Sequence, residues 1–393
     1  METKKLKIKL SMLYLIMYAV MACFSPFLTN YLQNRNMSFT SIGIIFALNA
    51  VVGVFLQPVW GYAADKYFGK NKALVITMIG SGICILPFIF VKSFSGIILI
   101  IILYTVFSSP MWTIEDAYCC EISDEVKGIK YGKIRLMGSV GYAVMALFLG
   151  ILIKKTSINL PYMVYAVLII PSIAIVKTIK FKSKYSAAGI DISDVINILK
   201  KKSFLIFILS VMLINLCMGA NGSYISVLLK NTGGDISNIG MVWFVVAISE
   251  LPVFLFGDKI LSKLGYINVY ILCLMIFSLR YFLDSICTGY GYVIAIQIMQ
   301  SVTYPLYFIS TLRYISENVP ARMRTSGMTL YTALGGGIGS FIGNIGGGII
   351  IDKISIFWLF KILSIICIID MIVVFVLKNV NKTCRHAQNI ISD

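Results

Sequence analysis

Twelve long apolar runs, each closed by a charged or polar break, leave this chain few ways to fold. They lie near 10–33, 39–62, 72–91, 95–115, 135–153, 160–178, 203–229, 238–257, 267–287, 290–312, 325–350 and 354–377. A helix that crosses a bilayer needs about 20 apolar residues, because each backbone N–H and C=O in the hydrocarbon must be satisfied within its own segment. Twelve such helices use most of the 393 residues, and no soluble domain fits in the remainder. Composition agrees, with 59% hydrophobic and 13% charged residues, where soluble domains run near 45–50% and about 25%. That excludes an ordinary cytosolic enzyme. The expected fold class is all-α integral membrane, with twelve transmembrane helices.

The net charge of +17 raises nucleic acid as a partner, and the placement of the charge argues against it. Counted by segment, 25 of the 34 Lys and Arg fall on the side of the N-terminus and seven on the other, while Arg135 and Arg280 sit in or at the edge of apolar runs. This alternation is the positive-inside pattern, which puts both termini in the cytoplasm and the protein in the cell membrane. No basic patch with interleaved aromatics stands outside the apolar runs, so nucleic acid is excluded and membrane lipid is the expected surround. The nine Cys include no Cys-x-x-Cys pair, and the single His, His386, lies in the tail. Neither a disulfide framework nor a metal site is supported, and no cofactor is expected. Val20-Met21-Ala22-Cys23 faintly resembles a lipoprotein cleavage box, but the apolar stretch continues through Leu32 and reads as the first span.

The long connection Lys177–Lys202 carries seven lysines around a polar middle and divides the spans six and six. The predicted organisation is a six-helix bundle over 1–180, a basic cytoplasmic linker over 181–202, and a second six-helix bundle with a short tail over 203–393. An internal repeat supports this division. Leu32, Asn34 and Ser41-Ile42-Gly43 recur as Leu229, Asn231 and Asn238-Ile239-Gly240 at an offset of 197, and Gly61 and Gly69 recur as Gly257 and Gly265 at 196. Secondary transporters are commonly built from duplicated halves that hold a solute between them.

The second turn on the side of the N-terminus reads Gly61-Tyr62-Ala63-Ala64-Asp65-Lys66-Tyr67-Phe68-Gly69-Lys70-Asn71-Lys72. A small residue lets helices approach, an Asp at a helix end can lock a neighbouring terminus, and the lysines hold the loop inside. These residues resemble the loop between spans 2 and 3 of the major facilitator superfamily, with one extra residue before Gly69. The resemblance makes Gly61, Asp65, Lys66 and Gly69 a conformational gate. The half-chain counterpart, Gly257-Asp258-Lys259 through Gly265, is degenerate. A second segment, Tyr131-Gly132-Lys133-Ile134-Arg135-Leu136-Met137-Gly138-Ser139-Val140-Gly141-Tyr142, looks like the entry to span 5 in the oligosaccharide:proton symporters and phenylpropionate permeases of that superfamily. There the matching Arg contacts substrate, supported by an acid on span 4, which implies substrate binding by Arg135 with Glu115 or Asp116. By position alone Arg135 is equally a positive-inside residue snorkelling to the interface.

Glu250 lies about twelve residues into the eighth run with no basic residue one turn away, and an ionisable group at that depth is a functional candidate. The resemblance assigns it to substrate, and desolvation makes it protonatable. The competing reading is a structural partner for Arg280, which also has Asp284 four residues on, where opposite charges on a helix can meet. In the tenth run, Gln297, Gln300 and Thr303 take the places of the Lys, His and Glu relay of the lactose-type relatives. The relay is therefore absent, with Gln297 and Gln300 as polar substrate contacts and Glu250 with Arg280 left to couple protons. Asp370 receives no functional account. Gly335, Gly339, Gly343 and Gly347 repeat every four residues, which lines a helix face for close packing, and no Lys-Ser/Thr follows to make a phosphate loop. Phe24, Tyr31, Trp112 and Tyr304, near polar neighbours, are candidates to stack on a sugar or nucleobase.

The resemblance implies a monomeric secondary transporter in two pseudo-symmetric bundles, moving a sugar or nucleoside with a proton by alternating access, with sodium as the alternative coupling ion. The same-fold alternative is an organic-anion, aromatic-acid or drug carrier. A membrane transferase would need catalytic His, Asp or Glu at a membrane face, which the single tail His and few embedded carboxylates argue against.

Overall fold

The computed structural model describes residues 2–179, 181, 196, 198–320 and 323–392. Twelve helices are long and apolar enough to cross a membrane: α1 (Thr3–Gln33), α2 (Phe39–Phe68), α3 (Lys70–Ile89), α4 (Phe94–Glu125), α5 (Tyr131–Lys155), α6 (Leu160–Thr178), α7 (Lys202–Asn231), α8 (Ile236–Val253), α9 (Tyr266–Ile286), α10 (Tyr290–Asn318), α11 (Ser326–Lys353) and α12 (Ile356–Val380). Each expected run falls on one of them. The clearest departure is α4, which continues to Glu125 instead of stopping near 115. Its extra turns turn Tyr118, Cys119, Glu121 and Ile122 inward, so the polar residues that end the apolar run extend the helix. Most of the expected linker, 182–195 and 197, lies outside the described residues.

Local chemistry fixes several ends. The Ser38 hydroxyl accepts from the Ser41 N–H at 3.1 Å and starts α2, and Asp235 starts α8 through a capping box with Asn238. Gly69 ends the α2 helix region at φ 72° and Gly265 ends the α8 region at φ 76°, a left-handed conformation that residues with a Cβ resist. The two glycines that the repeat pairs therefore make the same turn.

The packing repeats as well. α1 packs on α5 and α6, α2 on α4, and α3 on α4 and α6; correspondingly α7 packs on α11 and α12, α8 on α10, and α9 on α10 and α12. Two six-helix bundles result, meeting along α2–α11 and α5–α8. With twelve spans both termini share one face, here called the terminal face, and the other is the distal face.

Toward the distal face the two seams are drawn tight by glycine. A Cβ on Gly43 would lie 2.3 Å from the Asn344 carbonyl oxygen, one on Gly348 2.3 Å from that of Phe39, and one on Gly240 2.3 Å from that of Ala146. No larger residue fits such approaches. Two polar latches reinforce them. The Asp352 carboxylate, on α11, accepts from the N–H groups of Phe39 (3.0 Å) and Thr40 (2.7 Å) and from the Thr40 hydroxyl (2.7 Å) at the start of α2. Lys154, on α5, donates to Asp235 before α8 at 2.5 Å. That ammonium and the Ser237 hydroxyl hold the Asp235 carboxyl down to about 2. The four glycines of the repeat in α11 all abut α7, against Val211, Met212, Leu216 and Tyr224, as close packing requires.

Candidate functional site

Between the bundles lies a cavity of about 340 Å³, within the size range of small-molecule sites. α1 supplies Phe24 and Ser25, α2 supplies Asn49 and Gln57, α4 supplies Tyr104, Ser108, Ser109 and Trp112, and α11 supplies Thr332. Asn49, Gly53 and Gln57 are spaced by four and so share one face of α2, and Gln57 donates to the Ser109 hydroxyl at 3.1 Å. No charged side chain is among the lining residues. Aromatic faces beside amides and hydroxyls suit a neutral solute with many hydroxyls, whose C–H faces stack while its oxygens hydrogen-bond.

A charged layer adjoins this cavity. Trp112 packs against Tyr18 with ring centroids 5.9 Å apart, and the Arg135 guanidinium lies 4.2 Å from the centre of the Tyr18 ring. Arg135 is thus held by a ring face, a favourable seat for a planar cation. Of its two expected acidic supports, Asp116 accepts from Tyr14 (2.7 Å) and Tyr131 (3.0 Å), while Glu115 is buried with Oε1 free of hydrogen-bond partners. Neither carboxylate lies within the 4.0 Å of an ion pair with Arg135.

In the second bundle the Arg280 guanidinium is fully buried, donates to Gln300, and sits 4.9 Å from the Tyr281 ring centre. Its Nε and Nη2 have no hydrogen-bond partner. The expected Arg280–Asp284 pair is not formed: Asp284 accepts instead from Gln297 at 3.3 Å, because the α10 amide reaches it across the helix pair. Gln297 is therefore occupied away from the cavity. Glu250 is within hydrogen-bonding reach of Gln300 and within electrostatic range of both Arg280 and Arg135. Arg135, Glu250, Gln300 and Arg280, which the sequence scatters over 165 positions, are thus brought into one electrostatic neighbourhood around Glu250.

The loop of the second turn works within its own bundle here. Asp65 lies 4.0 Å from Lys70, which donates to Glu121 of α4 at 2.8 Å, while Lys66 donates to Tyr62 at 2.5 Å. A Cβ on Gly61 would meet nothing within 4 Å, whereas Gly69 makes the turn itself. Sequence reading missed Asn49, Gln57, Ser108, Ser109 and Thr332. The available signal was a four-residue stripe of polar and small residues on an otherwise apolar α2, which barely moves hydropathy.

The profile of the MFS_1 like family matches residues 7–362. Among curated proteins the chain is 28% identical to the uncharacterized transporter YwbF of Bacillus subtilis, over 90% of this chain and 89% of the relative. It is 24% identical to a protein named maltose permease from Geobacillus stearothermophilus, over 94% of each. Among solved structures, that of a variant of the nucleoside transporter NupG superposes with a TM-score of 0.86 at 16% identity, covering 95% of this chain and 99% of that one.

Proposed function

This chain belongs to the major facilitator superfamily, in its MFS_1 like family, and on that premise we propose that it carries a neutral sugar or nucleoside across the cell membrane by proton-coupled alternating access. The observation that carries the solute class is the lining of the inter-bundle cavity: three aromatic residues, amides and hydroxyls, and no fixed charge. An organic anion would require a cation in that wall, and none of the lining residues is one; Arg135 is not among them and rests on the Tyr18 ring. The kinship with a maltose permease supports the sugar branch.

In this reading the cavity holds the solute against Trp112 and Phe24, with Gln57 and Asn49 bonding its hydroxyls. Arg135, supported by Asp116 through Tyr131 and by Glu115, closes the wall of the site and orients Tyr18. Glu250 takes the coupling proton, and Arg280 and Gln300 position it. The distal seams are closed in this conformation, so release of the two latches accompanies opening to that face, while Asp65 and Lys66 act at the terminal face. In this reading the terminal face, which carries the basic loops, is the cytoplasmic one. The protein works as a monomer, each chain holding one complete cavity.

Uptake of a labelled disaccharide and a labelled nucleoside into proteoliposomes under an inward proton gradient tests this. Accumulation of one of them, abolished by a protonophore, is the expected result. Accumulation that follows a sodium gradient instead would move coupling to sodium, and transport of organic anions alone would overturn the neutral solute.

A further inference from the structure

Outside the cavity and its charged layer, the second bundle holds a buried carboxylate, Asp370, that the transport reading does not use. Asp370 is near the middle of α12 and 0% exposed, and neither of its oxygens has a hydrogen-bond partner. α12 packs on α7 and α9, and meets α11 along Ser340–Lys353. From α7 it is faced by Ser210, within reach of the carboxyl, and by the Cys217 thiol; from α9 it is faced by Tyr270, whose hydroxyl bonds Ser210 at 2.9 Å. Its own helix contributes Cys367, whose sulfur is 3.9 Å from that of Cys217. The titratable groups of the α11 stretch, Asp352 and Lys353, are at the distal end. No described cation answers Asp370: Arg280 is bonded to Gln300, and Lys361 lies 4.8 Å from the Trp358 ring centre, more than two turns away.

One turn along α12 from Asp370, Val374 lines a second, much smaller cavity of about 10 Å³, roughly the space of one water. Tyr270 and Ser310 line it too, and the Ser310 hydroxyl has no partner. Tyr266, Tyr314 and Leu377, also in its lining, stand near the terminal-face ends of α9, α10 and α12. Tyr270 thus touches both the cavity and the Ser210 that faces the carboxyl.

We propose that Asp370, with Ser210 and Tyr270, is a proton-binding site inside the second bundle, separate from the solute cavity and supplied from the terminal face through the Ser310 pocket. An ionised carboxylate at this depth would have no described cation and only the Ser210 hydroxyl as donor to offset its desolvation, whereas a carboxylic acid can donate its one proton to the Ser210–Tyr270 hydroxyl pair. Loss of that proton to water in the pocket leaves a charge at the joint of α7, α9 and α12, so the packing of these three helices is tied to the pH of one face. The inference is independent of the role given to Glu250.

Infrared spectroscopy of the full chain in liposomes reads the site directly, through the C=O stretch of a buried protonated carboxylic acid. A component of this band is expected at neutral pH, to disappear reversibly as pH is raised, to be lost in Asp370→Asn, and to persist in Glu250→Gln. Ser310→Ala removes the pocket's hydroxyl without adding bulk to fill it, and is expected to slow exchange of that component in deuterated buffer by about tenfold. A carboxylic-acid band unchanged in Asp370→Asn, an Asp370 component abolished by sodium at constant pH, or wild-type exchange in Ser310→Ala would each overturn the proposal. Because Asp370→Asn resembles the protonated acid, its fold is expected to be intact, and wild-type thermal unfolding of that variant verifies the reading of the band. Wild-type accumulation by Glu250→Gln with an intact Asp370 component would count against the coupling reading alone.

Discussion

The two bundles share one packing plan and differ in how they treat buried charge. In the first, Asp116 receives two tyrosine hydroxyls, Arg135 rests on a tyrosine face and Lys70 joins Glu121, and among the described charged groups there only Glu115 Oε1 is buried without a partner. In the second, two of the three Arg280 nitrogens and both Asp370 oxygens lack partners, and Glu250 shares Gln300 with Arg280. A satisfied polar cluster holds one arrangement, whereas an under-satisfied one gains by changing protonation or partner. On the transport reading proposed above, the first bundle is the rigid wall of the site and the second the side that responds to protons.

The largest effect that tests this contrast is expected at Glu250. Glu250→Gln removes the titratable proton but keeps the contact with Gln300, so exchange of solute down its gradient should continue while uphill accumulation in proteoliposomes falls to background. Accumulation at the wild-type level would take Glu250 out of coupling. Next comes a pair of substitutions whose stability effects should run in opposite directions. Arg280→Met removes a guanidinium with unsatisfied nitrogens and is expected to abolish uphill transport without lowering unfolding stability. Asp116→Leu strands the Tyr14 and Tyr131 hydroxyls and should cost about 1–3 kcal/mol. Thermal unfolding in detergent compares the two, and the reverse order would break the contrast.

A smaller effect is expected at Arg135, where geometry and charge can be separated. Lys keeps the charge but loses the planar seat on Tyr18, so Arg135→Lys should weaken equilibrium binding of solute by about tenfold, close to Arg135→Ala. Full affinity in the Lys variant would reduce the residue to a simple positive charge. The smallest effects are expected at the distal latches. Asp352→Asn weakens the capping of α2 and should cost about 1 kcal/mol. Asp235 titrates near 2, below the ordinary carboxylate range, so its latch is fully formed at neutral pH and lost only as pH falls through that value. Distances between spin labels across the distal face should therefore stay unchanged from neutral to mildly acidic pH, and opening near neutrality would contradict the latch.

Much of the fold was legible because the bilayer imposes it: apolar runs fix the number of helices, and paired glycines at 69 and 265 fix matching turns. The end of α4 was not, because hydropathy marks where a helix leaves lipid and says nothing of a helix that continues with its polar side turned into protein. The four-residue spacing in α11 correctly read as a packing face, since periodicity alone decides which residues share a side. The Arg280–Asp284 expectation failed for a different reason. Spacing of four allows contact along one helix, but it cannot see the Gln297 amide that another helix brings to the same carboxylate. Asn49 and Gln57 escaped notice because two polar residues in an apolar span alter its mean little, although they line the cavity together.

The distal latches carry a consequence for how such a chain arose and stays assembled. They occupy matching places in the repeat, yet both acids, Asp235 and Asp352, belong to the second half, and both of their partners, Lys154 and the start of α2, belong to the first. Two copies of the first half would bring together no acid at this face, and two copies of the second would set acid against acid. At this surface the two repeat-related halves form a lock and key of unlike parts. Recognition at the seam is directional, and fusion into one chain guarantees each half the only partner it fits.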